Sequence, residues 1–397
     1  MKRCADRVTP ASVVLPGSTV GILGGGQLGR MLALAGRQMG YRFVVLDPTP
    51  DAPAAQVADQ QILASFADRD AARALAARAD VITYEFEHLD AEVVAELEAC
   101  AHVPQGSRLL RITQHRLMEK RALEASGIPV APFREVASRA DLERALDELG
   151  LPAVLKTATG GYDGKGQRVI RAREEAGPAY ADLAGQGPLV LEAWVPFVKE
   201  LSVVVARRQD GTMRPFPVAE NVHVSGILRT TMVPARVDEM TARRATELAC
   251  AAAERLNAVG LLAVEMFLTA DGALRVNELA PRPHNSGHFT MDACVTSQFE
   301  QHLRAVCDLP LGDVRLLTPV VMVNVLGAHL PRLLQRLPYL DGRVKVHLYG
   351  KAEARPMRKM GHVNIVADSV DEALAVARAL DVWDVVDAGN EQAGRDG

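Results

Sequence analysis

No two cysteines of this 397-residue chain stand at C-x-x-C spacing: Cys4, Cys100, Cys250, Cys294 and Cys307 are odd in number and scattered. That argues against a disulfide framework or a zinc ribbon and points to a reducing compartment. A basic excess is missing too. The formal charge of −4 gives no footprint for nucleic acid or an anionic membrane. Apolar runs are short, each broken by charge or glycine well before the ~20 residues of a membrane helix. The opening MKRCADRVTPASVVLP is basic but has too brief an apolar run for a signal peptide. The expected location is the cytoplasm.

What is present is a core. Hydrophobic residues make up 48% of the chain and charged ones 24%, the balance of a globular protein. The length calls for two or three domains. Changes of character near Pro104–Thr113 and after Leu311 suggest 1–112, 113–310 with a sub-lobe at about 130–195, and a small β-rich unit at 311–397.

The stretch Leu261 to Phe289 is the most informative. Asp271-Gly272 between alternating apolar runs predicts a two-residue hairpin turn with Ala270 facing Ala273. Glu265 then lies opposite Glu278. Facing carboxylates repel, and a divalent cation between them is one remedy, since Mg²⁺ is held by one or two carboxylates plus substrate phosphates. A register slip that moves one Glu into solvent is the other.

Upstream, the strand Thr19–Leu23 runs into Gly24-Gly25-Gly26-Gln27-Leu28-Gly29 and a helical pattern. G-x-G-x-x-G in that place is a dinucleotide fingerprint, with Asp47 ending the next strand. About 100 residues leave little room for a second βαβαβ half, so the expectation narrows to backbone N–H groups able to hold a phosphate. Asp47 before Pro48 reads as a turn residue. Gln27 and Glu85 fall at the carboxyl ends of adjacent parallel strands, where such sheets bind ligands; a solvated Glu85 fits equally well. A charged helix is predicted over Thr113–Ala125, carrying Arg116 and Lys120, and another over Ser138–Leu149.

A strand ending on Lys156 then enters a loop with glycines at 160, 161, 164 and 166 before Gln167. The loop is one residue too short for a Walker A motif, and Gly166 replaces its Ser/Thr. Lysines at 156 and 165 flanking mobile backbone suit phosphates; a flexible hairpin is the plainer reading. Leu189–Glu192, with Ala193-Trp194-Val195 behind it, suits an adenine pocket whose carboxylate holds ribose hydroxyls. Glu200 borders another apolar strand. His223 lies in an extended stretch and serves equally well as a core residue.

The order Lys156, glycine loop, Glu192–Val195, Glu200, Glu265 and Asn277-Glu278 resembles the ATP-grasp superfamily. Within it, Gly24–Met31, Thr83–Glu87, Gly160–Gln167 and Asn277–His288 resemble the 5-(carboxyamino)imidazole ribonucleotide synthase family from about Ser18 onward. The first sixteen or so residues have no counterpart in it. The fold implied is α/β and α+β: an ATP-grasp fold behind an N-terminal Rossmann-like domain, with a small C-terminal β-rich domain. The activity implied is ATP- and bicarbonate-dependent carboxylation of 5-aminoimidazole ribonucleotide through carboxyphosphate in purine synthesis, with Mg²⁺ as cofactor and a homodimer as assembly.

The resemblance also assigns roles. Arg116 and Lys156 would contact ATP phosphates under the loop Gly161, Tyr162, Asp163, Gly164, Lys165, Gly166 and Gln167. Glu192, Ala193, Trp194 and Val195 would read adenine, and Glu200 the ribose, with His223 beside the nucleotide. Glu265 and Glu278, assisted by Asn277, would hold Mg²⁺. Gln27, Leu28 and Glu85 would meet the ribonucleotide, Tyr162, Asp163, Arg282, His284 and Asn285 would surround the reacting centre, and Lys351 and Arg358 would bind the 5′-phosphate. Either Asp163 or His284 would accept the amine proton. His284 and His288 have the spacing of a helical zinc pair, but Pro281, Pro283 and Gly287 argue against a helix there.

Three rivals remain. A formate-dependent glycinamide ribonucleotide transformylase shares the architecture but calls for Glu at Gln27. An NAD-dependent oxidoreductase leaves Lys156 and the Glu265/Glu278 pair unexplained. A non-enzymatic module would bind ATP without turnover.

Overall fold

The computed structural model describes residues 13–161 and 165–383. The site candidates Tyr162, Asp163 and Gly164 and the stretch from Asp387 lie outside the described residues. Near the N-terminus, strands Gln60–Ile62, Arg42–Leu46, Thr19–Leu23 and Val81–Tyr84 lie in that order, all parallel. Their nearly continuous apolar sequences follow from burial on both faces. Val20, Ile22, Phe43 and Val45 pack with Met31 and Leu32 of the helix Gln27–Gln38. Leu23, Val44, Leu46 and Ile82 pack with Leu75 and Val94 from helices Arg69–Ala76 and Ala91–Glu98. The first face is completed from far along the chain by Phe299, Leu303 and Val306 of the helix Gln298–Val306. Leu23 pairs with Tyr84, so the turns bearing Gln27 and Glu85 open at one edge of the sheet.

The single helix expected over Thr113–Ala125 is two, Arg108–Thr113 and Arg116–Ala125. His115 between them is extended, and Arg116 donates its N–H to Ala158 O at 2.8 Å. The second helix is thus tied to the loop that follows Lys156.

A four-stranded antiparallel sheet follows, ordered Phe133–Val136, Leu189–Ala193, Ala153–Thr157, Gln167–Ile170. Strand alternation divides its side chains. Ala153, Leu155, Leu189 and Leu191 face the helices Arg139–Leu149 and Ala176–Leu183, while Val154, Lys156 and Glu192 face the cleft.

The largest sheet has nine strands. Its path runs Leu274–Ala280, Gly260–Thr269, Phe197–Arg207, Ala219–Val224, Ile227–Val233, Val320–Leu326, Lys359–Val366, Val344–Leu348, with Met213–Pro215 paired onto Phe197–Arg207. Thr230 pairs with Val323, so the residues beyond 311 continue this sheet.

The hairpin departs from expectation in an instructive way. Its turn has three residues: Thr269 N–H donates to Ala273 O, Gly272 N–H donates to Thr269 O, and Gly272 adopts φ +79°. This is the type I turn with a left-handed glycine that three-residue hairpins favour. The outer pairs are therefore Leu268–Leu274, Phe267–Arg275 and Met266–Val276, each one residue away from the two-residue register. A bulge at Asn277 then restores it, and Glu265 does face Glu278. The extra residue also lets both Asn277 and Glu278 reach the cleft.

Gly36 shows how tightly the N-terminal sheet is docked. A Cβ there would lie 2.2 Å from Phe43 Cζ and 2.8 Å from Leu303 Cδ1. Glycine-to-alanine in a helix interior ordinarily gains about 1 kcal/mol. Overpacking costs about 1–3 kcal/mol, so Gly36→Ala is expected to lower the thermal midpoint; an increase would contradict this packing.

Candidate functional site

A cleft of about 930 Å³ opens between the four-stranded sheet, the large sheet and the carboxyl edge of the N-terminal sheet. One wall is positive. Val154 lies opposite Glu192 in the ladder and Lys156 opposite Val190, which makes Lys156 a diagonal neighbour of Glu192. Glu192 Oε2 takes both Lys156 Nζ at 3.0 Å and Lys120 Nζ at 3.2 Å, and all three side chains are buried. Burial alone would raise the Glu192 pKa, but the two lysines hold it at about 2. Lys156 is also lowered, chiefly by burial, with Lys120 and Arg116 adding to it against the upward pull of Glu192. A single carboxylate shared by two ammonium groups leaves surplus positive charge on this wall. Glu192 Oε1 has no hydrogen bond among the described residues. Arg116 joins this wall, its guanidinium 3.6 Å from Glu278 and donating to Gly161 O at 3.3 Å. The Glu192 carboxylate is thus the counter-ion of both lysines, a contact the sequence reading did not give it.

The floor is negative. Burial first, then Glu278, push Glu265 up to about 7. Glu119 rises to about 8 from the same two causes, although it accepts Leu279 N–H at 3.3 Å. His223 Nδ1 lies 2.7 Å from Glu200 Oε2 as a close ion pair rather than an aligned hydrogen bond. Burial would lower the His223 pKa, but Glu200 lifts it to about 9.

At the N-terminal edge, the glycine turn is already filled. Glu85 accepts N–H groups from Gly26 and from Gly29, the latter at 2.6 Å, and Asp47 accepts Gly25 N–H at 2.7 Å. The amides expected to hold a phosphate serve two carboxylates of the chain itself. A dinucleotide pyrophosphate would have to displace both. Asp47 also accepts Thr49 N–H at 2.7 Å, the turn role its sequence suggested. Glu85 is raised by burial despite its two N–H donors.

The fourth element is the turn after Glu278. Arg282 is braced by Glu87, Nε to Oε2 2.6 Å. His284 Nδ1 accepts Ser286 N–H at 3.3 Å, and its Nε2 stands 3.5 Å from Glu265. Burial, followed by Arg282, sets its pKa well below the ordinary imidazole value. Both polar atoms of the Asn285 amide are buried and without a partner among the described residues, and Asn285 lines the cleft.

With this geometry established, the chain was compared with known proteins. Residues 18–114 match the ribonucleotide synthetase preATP-grasp domain, 121–299 the ATP-grasp domain and 320–376 the phosphoribosylaminoimidazole carboxylase C-terminal domain. The N5-carboxyaminoimidazole ribonucleotide synthase of Bacillus subtilis (strain 168) is 51% identical over 360 residues, 91% of this chain and 94% of that protein. The chain belongs to the N5-carboxyaminoimidazole ribonucleotide synthase family. A crystal structure of the ADP complex of an N5-carboxyaminoimidazole ribonucleotide synthetase superimposes with a TM-score of 0.92 at 53% identity, covering 95% of this chain and 99% of that one. The Aspergillus clavatus synthase, solved with ADP and 5-aminoimidazole ribonucleotide, gives 0.86 at 34% identity, covering 92% and 98%. The fold is thus an ATP-grasp fold with an N-terminal preATP-grasp domain and a C-terminal domain, and the chain is an ADP-forming ligase of that family.

Against this family background, the cleft gathers most of the sequence candidates. Gln27, Leu28, Glu85, Arg116, Lys156, Gly161, Lys165, Gln167, Glu192, Ala193, Trp194, Val195, Glu200 and His223 line it, as do Glu265, Asn277, Glu278, Arg282, His284 and Asn285. Gly166 stands just behind the wall, its carbonyl accepting Thr157 N–H at 2.8 Å. Lys351 and Arg358 are outside the lining: Lys351 Nζ donates to Lys359 O at 2.7 Å, and Arg358 donates to Glu353 O at 3.0 Å. Sequence reasoning gave no role to Glu87, Glu119, His288 or Lys359, all of which line the cleft, or to the lysine-sharing role of Lys120. Glu119 and Lys120 lie three and four positions past Arg116 on the helix Arg116–Ala125, the spacing that places side chains on one helix face and the one signal the sequence offered.

Glu192→Gln would leave two buried lysines without their counter-ion, a loss on the order of 3–5 kcal/mol. Thermal melts should show the loss, and ATP should recover more stability in the variant than in the parent. The pH sign is fixed by the depressed pKa: the Glu192 contribution is complete above the ordinary glutamate value of about 4.3 and fades as pH falls towards about 2. The variant's stability should therefore fall less steeply in acid. Melting curves that coincide with the parent's would contradict the charge-sharing assignment.

Proposed function

We propose that the cleft binds ATP with its phosphates against Lys156, Lys120 and Arg116, and uses it to carboxylate 5-aminoimidazole ribonucleotide with bicarbonate. The observation that carries this reading is the juxtaposition of a cation-rich wall with the facing pair Glu265 and Glu278 in the cleft that also holds Arg282, His284 and Asn285. Polyphosphate needs the first, its divalent cation the second, and the reacting carboxylate the third. The fit to Mg²⁺ rests on donor chemistry: two carboxylates held opposite one another, one of them pushed up to about 7, offer hard oxygen ligands whose mutual repulsion a divalent cation would relieve. Glu265 and Glu278, assisted by Asn277, would hold such an ion, which would supply charge neutralisation to the phosphoryl group in transfer.

The chain's own groups then divide the work. Lys156, Lys120 and Arg116 stabilise charge on the γ-phosphoryl group as it passes to bicarbonate, a reaction governed by positioning and electrostatics. The loop from Gly161 to Gln167 closes over the phosphates and excludes water while carboxyphosphate exists. Ala193 and Trp194 donate their N–H groups to Pro132 and Pro152 carbonyls, so reading of the adenine edge falls to the Val195 backbone. Glu200, lined up by His223, takes the ribose. Arg282, held by Glu87, and the Asn285 amide receive the carboxylate. His284, with Nδ1 already accepting a backbone N–H, acts there as an Nε2–H donor. The ribonucleotide lies towards Gln27, Leu28 and Glu85. Lys351 and Arg358 approach its 5′-phosphate from the C-terminal loop, which Gln56 Nε2 pins to the N-terminal unit through Gly350 O at 2.9 Å. A homodimer in the cytoplasm completes the reading, in keeping with a chain in which no helix among the described residues is long and apolar enough to cross a membrane.

ADP release should require both the ribonucleotide and bicarbonate. Turnover indifferent to the two compounds would overturn the reading. Glu278→Gln should cut kcat by about a hundredfold or more. It relieves repulsion from Glu265 and Glu119, so its melting temperature should stay level or rise slightly. Retained Mg²⁺-dependent turnover would remove Glu278 from the metal site.

A further inference from the structure

The turn carrying Arg282, His284 and Asn285 is held by one buried side chain that none of the chemistry above uses. Gln298 opens the helix Gln298–Val306 and has no exposed surface. Its Oε1 accepts His284 N–H at 2.9 Å and its Nε2 donates to His284 O at 2.8 Å. Those two backbone groups have fixed roles. Turning the amide over would set NH₂ against N–H and oxygen against C=O, so only one orientation is compatible with both contacts.

That orientation sets the state of a second residue. Gln298 Nε2 also lies 3.0 Å from His288 Nδ1. An amide nitrogen only donates, so Nδ1 is the acceptor, and the neutral ring carries its proton on Nε2. His288 is buried, lines the cleft and keeps a neutral ring, because burial and then His347 hold it well below the usual imidazole range. The titratable groups facing it are His347, His362 and Tyr349 from the C-terminal part of the chain, with Lys359, Arg282 and His284. The nearby carboxylate, Asp292, is engaged by His347 Nε2 and Asn364 Nδ2, both at 2.7 Å.

Gly287 is part of the same device. A Cβ at 287 would sit 2.5 Å from Gln298 Oε1 and 2.7 Å from its Cδ. Gln298 N–H donates to Thr290 Oγ1 at 2.8 Å, and that hydroxyl donates to Gly287 O at 2.7 Å. The clamp and the turn therefore fit only when residue 287 has no side chain.

We propose that Gln298 is a positioning residue of the carboxylation site, fixing the His284 backbone and holding His288 as an Nε2–H donor towards an acceptor oxygen of the bound substrate. This rests on the reading of the cleft given above. His288 is then a hydrogen-bond donor and not the group that takes the amine proton.

The decisive test is a multiple-bond ¹⁵N–¹H correlation spectrum of the whole protein with ¹⁵N-labelled histidine, His288→Asn supplying the assignment. His288 should show a bare Nδ1 and a protonated Nε2 from about pH 6 to about pH 9, across the usual imidazole titration range. A protonated Nδ1, or an imidazolium, in the parent protein would overturn the proposal. Gln298→Glu keeps the shape but offers only acceptors, so His288 should switch to Nδ1–H and kcat should fall by about 10–100-fold, as when a histidine loses its orienting partner. KM for ATP should stay within about twofold, in contrast to a general loss of structure. Gly287→Ala, which retains every hydrogen-bonding group, should shift both readouts in the same direction. Full kcat with an unchanged His288 signal in both variants would also overturn it. The parent spectrum needs no turnover, so failure of the ribonucleotide-dependent ATPase would count against the functional reading and not against the clamp.

Discussion

Glu265 and Glu278 face each other across a ladder where like charges are ordinarily avoided, and much of the surrounding structure answers that repulsion. The bulge at Asn277 makes the pairing possible by returning the hairpin to the register its three-residue turn had lost. Burial then raises the cost, pushing Glu265 to about 7 and Glu119 beside it to about 8. Across the cleft the imbalance is reversed: Lys120 and Lys156 share one carboxylate, and Arg116 spans the two sides. Neither surface is balanced alone. A polyphosphate with its cation would satisfy both at once.

The same economy appears in how the units are joined. The helix Gln298–Val306 packs Phe299, Leu303 and Val306 into the N-terminal sheet while its first residue clamps the turn after Glu278. The N-terminal edge, with Glu85 filling the glycine turn, is therefore held at a fixed place relative to Arg282 and His284. Sheet continuity does the equivalent on the other side, since Val320–Leu326 extends the strands that carry Glu200 and His223. Lys359 reaches the cleft from the strand beyond it.

Much of this was legible in the sequence because strand periodicity and motif order report local chemistry. The parallel N-terminal strands and the Lys156 strand followed from pattern. The facing glutamates were expected from a two-residue turn and are in fact set by a three-residue turn and a bulge that offset each other. What did not follow depended on partners distant in sequence. Glu192 has the same appearance in sequence whether or not two lysines share it, and one of them, Lys120, stands 72 positions earlier. The glycine turn looks like a phosphate cradle until Glu85 and Asp47 are seen occupying its amides. Asp271-Gly272 is shared by two- and three-residue turns, and the compensating bulge has no sequence signature of its own. Gln298 carried no signal at all, since its role needs His284, Gly287 and His288 folded around it.

The central claim is that the facing glutamates form a cation site for the nucleotide. Anomalous diffraction from crystals grown with ADP and Mn²⁺ tests it most directly. A peak between the Glu265 and Glu278 carboxylates, within coordination distance of both, is the result the account requires. Mn²⁺ bound with ADP elsewhere in the cleft, with both carboxylates free of metal, would contradict it.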